Sequence, residues 1–425
     1  MLDIHFVREN IELIKKNLEK RFQSEKIKLV DDLIHTDKEW RSIKAEIDGL
    51  RSKRNKASLE INDLVKQGKD ASSNIKEIKG IAERIKLLEQ KSGHLQQKVN
   101  GDLVKIPNIL HKSVPIGKDL SKNKVIRKVG KLPKFKFEVQ NHVELAEKLR
   151  VADFDKGREV AGQGFNYLIG DLALLDLALQ RYGVDFLLKR KFRLLMPPIM
   201  LNREALGGAV VLSDFENVIY KVENEDLYLI GTAEHSLVSF FKNRTFDISQ
   251  LPLKVCAVTP CFRKEIGGHG MDMKGLFRMH QFNKVEQVVV TTADDSFKML
   301  ESMQKITEDF FKSLKIPFRV IEICSGDLGA KFAKQYDIEA YFPRQKEYQE
   351  ITSAGNVTDY QAASLNIKYI EKGNKKYCHL LNNTMVATSR AMVAILENFQ
   401  QKDGSIKIPR VLVPYMNGIK KISNA

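Results

Sequence analysis

The stretch CFRKEIGGHGMDMKGLFRMHQFNKVE, residues 261–286, decides how the rest of this chain is read. Arg263 and Glu265 stand two apart, so on a strand both point to one face. Gly267, Gly268, Gly270 and Gly275 then predict a mobile loop whose backbone is free to approach a ligand. Residues 276–282 predict a return strand carrying Arg278, His280 and Phe282 on one face. Arginines, a ring and an acid converging across a hairpin suit a triphosphate and a planar base. An ordinary solvated hairpin could show the same charges, so the wider pattern has to decide.

Upstream, the sequence has a different period. From Leu33, apolar residues recur at alternating spacings of three and four. One series runs Leu33, Trp40, Ile47 and Ile61, interrupted by Arg54; the other runs Ile43, Leu50, Ala57 and Leu64. A second segment carries Ile78, Ile81, Ile85, Leu88, Leu95 and Val99, with Ser92 in the seam. The polar turn QGKDASSN lies between them, and no proline precedes Pro107. This pattern predicts an antiparallel two-helix coiled coil with its turn at the tip. Its first helix, over about 26–67, would span about 60 Å at ~1.5 Å per residue. Its outer faces carry Arg41, Lys44, Arg51, Lys53, Arg54, Lys56, Lys76, Lys79 and Lys86. A solvated helix face accounts for many of these; phosphate contacts to a shaped RNA are the alternative.

The 425 residues allow two or three domains, and the net charge of +16 favours a polyanionic partner. Four cysteines (Cys256, Cys261, Cys324, Cys378) and nine histidines form no metal-ligand rhythm, so no zinc is expected. No apolar run is long enough for a transmembrane helix, and no membrane partner is expected. The first twenty residues mix acids and bases in an amphipathic pattern unlike a leader, which predicts a cytoplasmic protein. Residues 110–137 are rich in Lys, Gly and Pro and read as a linker. Beyond it, helices are expected over 139–149 and 172–188. Strands are expected over 194–196, 226–230, 254–259 and 318–323. That mixture predicts an α+β fold with a largely antiparallel sheet. The lack of a G-x-x-x-x-G-K-[ST] loop argues against a P-loop site.

Five stretches, in order, carry a family resemblance. Residues 171–206, ending their helix and strand at Pro197-Pro198, resemble motif 1 of class II aminoacyl-tRNA synthetases, and 261–286 resembles motif 2. EDLYLIGTAEHSL (225–237) contains a Thr-Ala-Glu similar to the serine site of the seryl-tRNA synthetases, and 324–361 follows that family's segment before motif 3. LNNTMVATSRAMVAILENFQ (381–400) is similar to motif 3. The resemblance implies residues 1–110 as a helical coiled-coil tRNA-binding arm. Residues 111–425 would be a class II catalytic domain, an antiparallel sheet flanked by helices that forms a homodimer through motif 1. It further implies activation of L-serine by ATP and transfer to tRNA(Ser), with tRNA(Sec) a second candidate acceptor.

Residue roles implied by the resemblance can be given position by position. Arg263 matches the arginine bridging the amino-acid carboxylate and the α-phosphate, a task for a planar fork. Lys264 and Glu265 accompany it, Glu265 at the adenine amino group. Phe282 matches the ring beneath adenine, Arg390 the arginine over base and γ-phosphate, and Arg278 a phosphate contact. In EITS, Glu350 and Ser353 match positions holding Mg2+, with Ile351 and Thr352 between them at the nucleotide. Thr232, Ala233, Glu234, Glu286 and Thr384 match the serine pocket, Glu286 and Thr384 at the hydroxyl.

Several positions depart from the family pattern. Ala363-Ser364 replaces an Arg pair after Gln361-Ala362, Asn382-Asn383-Thr384 replaces Asn-Gly-Ser, and Ser389 replaces a glycine before Arg390. Met273, AGQGF (161–165), Gly231 and His235 are also unusual. Two readings of other classes therefore stand beside the enzyme: a catalytically inactive synthetase-like RNA-binding paralogue, and a coiled-coil nucleic-acid binder with no nucleotide site.

Overall fold

A computed structural model describes residues 1–211, 217–265 and 275–423. The expected glycine loop at Gly267, Gly268 and Gly270, and Met273, lie outside the described residues. The chain forms two compact units, Met1–Pro107 and Asn108–Ala425.

In the first unit, α1 (Ile4–Glu9) and α2 (Ile11–Lys20) precede two long helices, α3 (Ile27–Lys66) and α4 (Ser72–Lys105). Ile43, Ile47, Ile85 and Leu88 are buried between the long helices, with Leu50, Ile81 and Leu95 packed alongside. Both seven-spaced series thus supply the seam, as knobs-into-holes packing requires. Ion pairs Lys91–Glu39 (2.7 Å), Arg84–Glu46 (3.0 Å) and Arg51–Glu89 (2.7 Å) link the two long helices. The advance from Glu39 to Glu46 along α3 is matched by a step back from Lys91 to Arg84 along α4, as the antiparallel sense requires. At the tip α3 ends at Lys66, Gly68 turns the backbone at φ 68°, and Asp70 accepts from the Ser72 amide at 2.9 Å. Not every outer cation is unpaired: besides Arg51, Arg41 reaches the buried Asp37 at 3.1 Å, which Arg8 of α1 also grips at 2.7 Å.

The second unit is built on an eight-stranded sheet of the described residues. Its strands are β1 (Lys124–Val129), β2 (Arg193–Leu194), β3 (Leu253–Phe262), β4 (Gln281–Thr291), β5 (Phe318–Glu322), β6 (Lys334–Phe342), β7 (Glu347–Asn356) and β8 (His379–Ala387). Their spatial order is β1-β5-β6-β7-β8-β4-β3-β2, antiparallel except for β2 beside β3. Helices that pack against this sheet include α5 (Asp171–Leu188), α6 (Ala233–Ser239), α7 (Ser296–Leu314) and α8 (Thr388–Asn398). Alternation along β4 divides the core. Val285 and Val289 join Leu172, Met303 and Met392 of α5, α7 and α8 on one face. Val288 and Val290 join Ala233 and Leu237 of α6 on the other.

Two expectations are corrected here. The segment read as a linker contains β1, the edge strand paired with β5. Its lysines and arginine hid the strand pattern, and charged side chains suit an edge strand. The hairpin is also shorter than expected. Strand β3 stops at Phe262 and β4 starts only at Gln281, so neither Arg263 and Glu265 nor residues 276–280 lie on strands. Glu265 has φ 43°, outside the strand region. Gly275 has φ 118°, and a Cβ there would fall 2.3 Å from His142 Nε2. That same nitrogen accepts from the Leu276 amide at 3.2 Å, which anchors the returning chain against the body rather than along the ladder.

Candidate active site

The apolar cover of the second sheet face gives way to a cavity of about 280 Å³, and the motif side chains line it. Thr232, Glu234, Arg263, Glu265, Arg278, Phe282, Glu350, Ile351, Thr352, Ser353, Thr384 and Arg390 all reach this cavity. Of the other candidates, Glu286 is fully buried directly behind Thr384, and Ala233 is buried in the core. Lys264 hydrogen-bonds through its amide to the Val218 carbonyl at 2.8 Å and lies with its ammonium 5.9 Å from the Tyr220 ring, outside the lining.

Two strand irregularities aim the polar groups. In β7, Glu350 pairs with Glu339 and Thr352 with Ile338, leaving Ile351 as an extra residue. A bulge reverses the alternation. Residues three apart in a regular strand face opposite ways, yet Glu350 and Ser353 here share a face because their partners Glu339 and Asp337 do. In β8, Met385 is the extra residue next to Thr384, which sits directly opposite Glu286 of β4.

At one end, Thr384 Oγ1 donates to Glu286 Oε2 at 3.1 Å, and Lys284 Nζ lies 2.7 Å from the same oxygen. Asn382 Nδ2 donates to Glu286 Oε1 at 3.4 Å. Close by, Glu234 Oε1 accepts from Gln361 Nε2 at 2.7 Å and from the Lys331 ammonium in a short contact. Burial would push the Glu234 carboxyl up, but the Lys331 charge and the hydrogen bonds from Lys331 and Gln361 bring it below the usual carboxylate value. Burial drives the neighbouring His235 imidazole down to about 3, against the pull of Glu234, so the ring is neutral. His235 Nδ1 and Asn382 Oδ1 are buried with no partner among the described residues. Unsatisfied buried groups on a cavity wall fit a polar ligand that completes them.

Towards the opening, guanidinium groups are already oriented. Arg263 Nε donates to the Gly231 carbonyl at 3.1 Å while its guanidinium lies 5.4 Å from the Phe282 ring. Arg390 Nη1 donates to the Glu350 carbonyl at 3.0 Å, approaches its Oε1 at 3.2 Å and sits 5.1 Å from Phe277. Beside Glu350, Gln335 Nε2 bonds both Ser353 Oγ and Asp337 Oδ1 at 3.0 Å. Burial, then the Glu350 charge, pushes Asp337 up to about 8. Glu350 and Ser353 present hard oxygens on one face of β7, a donor set that fits magnesium held jointly with phosphates.

Sequence reasoning left Lys284, Lys331, Phe277 and Asn382 without a role. Lys284 and Asn382 stand two residues from Glu286 and Thr384, so strand alternation could have found them. Lys331 and Phe277 had no such signal. Among the unusual positions, Asn383 turns away from the cavity and donates to Met303 and Thr307 of α7 at 3.0 Å. Ala363 and Ser364 do not line the cavity either.

Comparison with known proteins matches two stretches of the chain. Residues 1–110 match the seryl-tRNA synthetase N-terminal domain, and residues 219–399 match the tRNA synthetase class II core domain (G, H, P, S and T). The sequence is 46% identical over 423 residues to a serine–tRNA ligase of Methanocella arvoryzae, covering 99% of this chain and 100% of that protein. The crystal structure of seryl-tRNA synthetase from Pyrococcus horikoshii complexed with ATP superposes with a TM-score of 0.92 at 43% identity, covering 100% of both chains. A cytoplasmic serine–tRNA ligase from Naegleria fowleri in complex with AMP gives 0.87 at 34% identity, covering 100% of this chain and 99% of that one.

Proposed function

This chain belongs to the seryl-tRNA synthetase family of class II aminoacyl-tRNA synthetases, and from that premise we propose how its residues activate L-serine and charge tRNA(Ser). A serine carboxylate oxygen attacks the α-phosphorus of ATP, the bond to the β-phosphate oxygen breaks, and pyrophosphate leaves seryl-adenylate behind. A terminal ribose hydroxyl of the tRNA then attacks the seryl carbonyl and releases AMP. Neither step needs a covalent nucleophile on the protein; both need fixed charges around a loaded phosphate.

Arg263 bridges the serine carboxylate and the α-phosphate; its guanidinium on the Gly231 carbonyl and near the Phe282 ring supports this reading. Phe282 and Glu265 take the adenine, Arg390 the base and γ-phosphate, and Arg278 a phosphate at the exposed rim. Thr384 and Glu286 take the serine hydroxyl, and a site built to hydrogen-bond that group favours serine over an analogue lacking it. Glu234, with Thr232, takes the ammonium. Glu350 and Ser353 would hold magnesium, which supplies charge neutralisation on the phosphates.

Further parts of the proposal concern partners. The basic faces of the α3–α4 arm, with Lys53, Lys56, Lys76, Lys79 and Lys86 exposed, suit the tRNA long variable arm, and tRNA(Sec) is the second acceptor to assay. Leu177, Leu188, Leu194, Met196 and Met200 are exposed on motif 1 and support a homodimer through that segment. No helix of the described residues is long and apolar enough to cross a membrane. Four buried, unpaired cysteines accord with a reducing, cytoplasmic setting.

The observation carrying the proposal is the convergence of side chains from Thr232 to Arg390 on one cavity. An inactive paralogue has no physical need for that convergence, and a bare coiled-coil binder leaves it unexplained. Serine-dependent exchange of radiolabelled pyrophosphate into ATP tests it. Exchange that saturates with serine and not with alanine is expected; none above background at saturating serine would end the enzyme reading.

A further inference from the structure

Both acids of the amino-acid end are already partnered by lysines, but the two lysines arrive differently. Lys284 lies on the same strand as Glu286, two residues away, and both point to one face. Lys331 comes from the loop between β5 and β6, far in sequence from Glu234, and its ammonium passes 4.9 Å from the Phe332 ring. Its side chain is 15% exposed and that of Glu234 only 4%. Lys331 and Gln361 both bond Glu234 Oε1, and Gln361 is itself fixed by donating to the Ala209 carbonyl at 2.7 Å. Neither of these bonds uses Oε2 of Glu234. It is the oxygen left for a ligand in the cavity that Glu234 lines.

A carboxylate this buried stays ionised only beside a cation; alone, it takes up a proton. The charged and titratable groups facing Glu234 are Lys331 and His235, with Lys284 and Arg263 acting on His235 from further away. His235 is neutral across the physiological range, so it cannot replace the lysine. We propose that Lys331 is a positioning residue for the amino-acid substrate: its ammonium holds the Glu234 carboxylate charged and turned so that Oε2 receives the ammonium of serine. This rests on the serine-activating function above and assigns a role that side-chain type and sequence position do not suggest. A purely structural lysine would leave serine affinity and its pH dependence unchanged. A lysine that merely competes with the substrate would weaken serine binding, so its removal would tighten it.

The test measures serine and ATP KM by pyrophosphate exchange from pH 6 to 8, for the full-length enzyme and for Lys331→Met, Lys331→Gln and Lys331→Arg. The parent should show a serine KM that is flat over this range, because its Glu234 carboxyl lies below the usual value. In the neutral variants burial moves that carboxyl up, and serine KM should climb as pH falls, approaching about tenfold per pH unit below the new pKa. ATP KM should stay within about threefold, since the change falls on serine binding alone. Lys331→Arg keeps the charge and should keep the flat profile. Either neutral variant suffices if the other misfolds. The proposal is overturned if serine KM in a folded neutral variant stays pH-independent, if it falls below that of the parent, or if ATP KM rises in step with it. A parent without serine-dependent exchange would instead remove the functional reading on which the proposal stands.

Discussion

Arg51–Glu89 in the arm and Lys284–Glu286 in the cavity wall are both 2.7 Å long, yet they carry different weights. The arm pair is half exposed on both sides, so water and salt screen it and the seam of Ile43, Ile47, Ile85 and Leu88 holds the helices together. In the cavity pair Lys284 is 8% exposed and Glu286 not at all, so each charge depends on the other. In the arm, charge decorates a packing solution; in the cavity, charge has to be solved before anything packs. A region built the second way is where substrate charges can be recognised strongly.

The sharpest way to break this comparison is Glu286→Ala. It strands the Lys284 ammonium in the wall, so unfolding should become easier by about 3–5 kcal/mol in urea titrations, with serine-dependent exchange lost. Next, Arg263→Ala removes one charged donor at the reacting phosphate and should lower exchange about 100- to 1000-fold while tRNA affinity in filter binding stays within about threefold. Deleting residues 30–100 should do the converse, sparing exchange and abolishing aminoacylation. Equal loss of both activities in both folded variants would refute the division of labour.

A milder effect comes from His235, whose folded pKa of about 3 lies below its ordinary value of 6.5. The unfolded chain therefore binds a proton that the native state refuses, and stability is intact above pH 6.5 and declines as pH falls below it. The contribution is about 1.4 kcal/mol per pH unit, so His235→Gln should flatten the urea stability profile between about pH 6.5 and 4.5 relative to the parent. The smallest change is expected for Arg51→Ala, about 0.2–1 kcal/mol and vanishing in high salt.

Legibility in the sequence divided along the same line. The coiled coil was readable because a heptad seam is local: α3 begins and ends within a residue of the span expected, and α4 holds the whole second apolar series. The cavity acids and arginines were readable through resemblance, since each motif keeps its own short spacing. What stayed hidden is non-local. The shared face of Glu350 and Ser353 exists only because Ile351 bulges against β6, and a regular strand would have separated them. Strand β1 went unread because its exposed lysines resemble a linker until β5 supplies a partner. Lys331 looks like any solvated lysine until the fold brings it to Glu234.

The most direct measurement is a crystal structure with a non-hydrolysable seryl-adenylate analogue. The account predicts its adenine against Phe282, its phosphate surrogate on Arg263, its hydroxyl at Glu286 and Thr384, and its ammonium on Oε2 of Glu234. An analogue seated in another cavity, with Arg263 still on the Gly231 carbonyl and the two acids bonded only to their lysines, would contradict it.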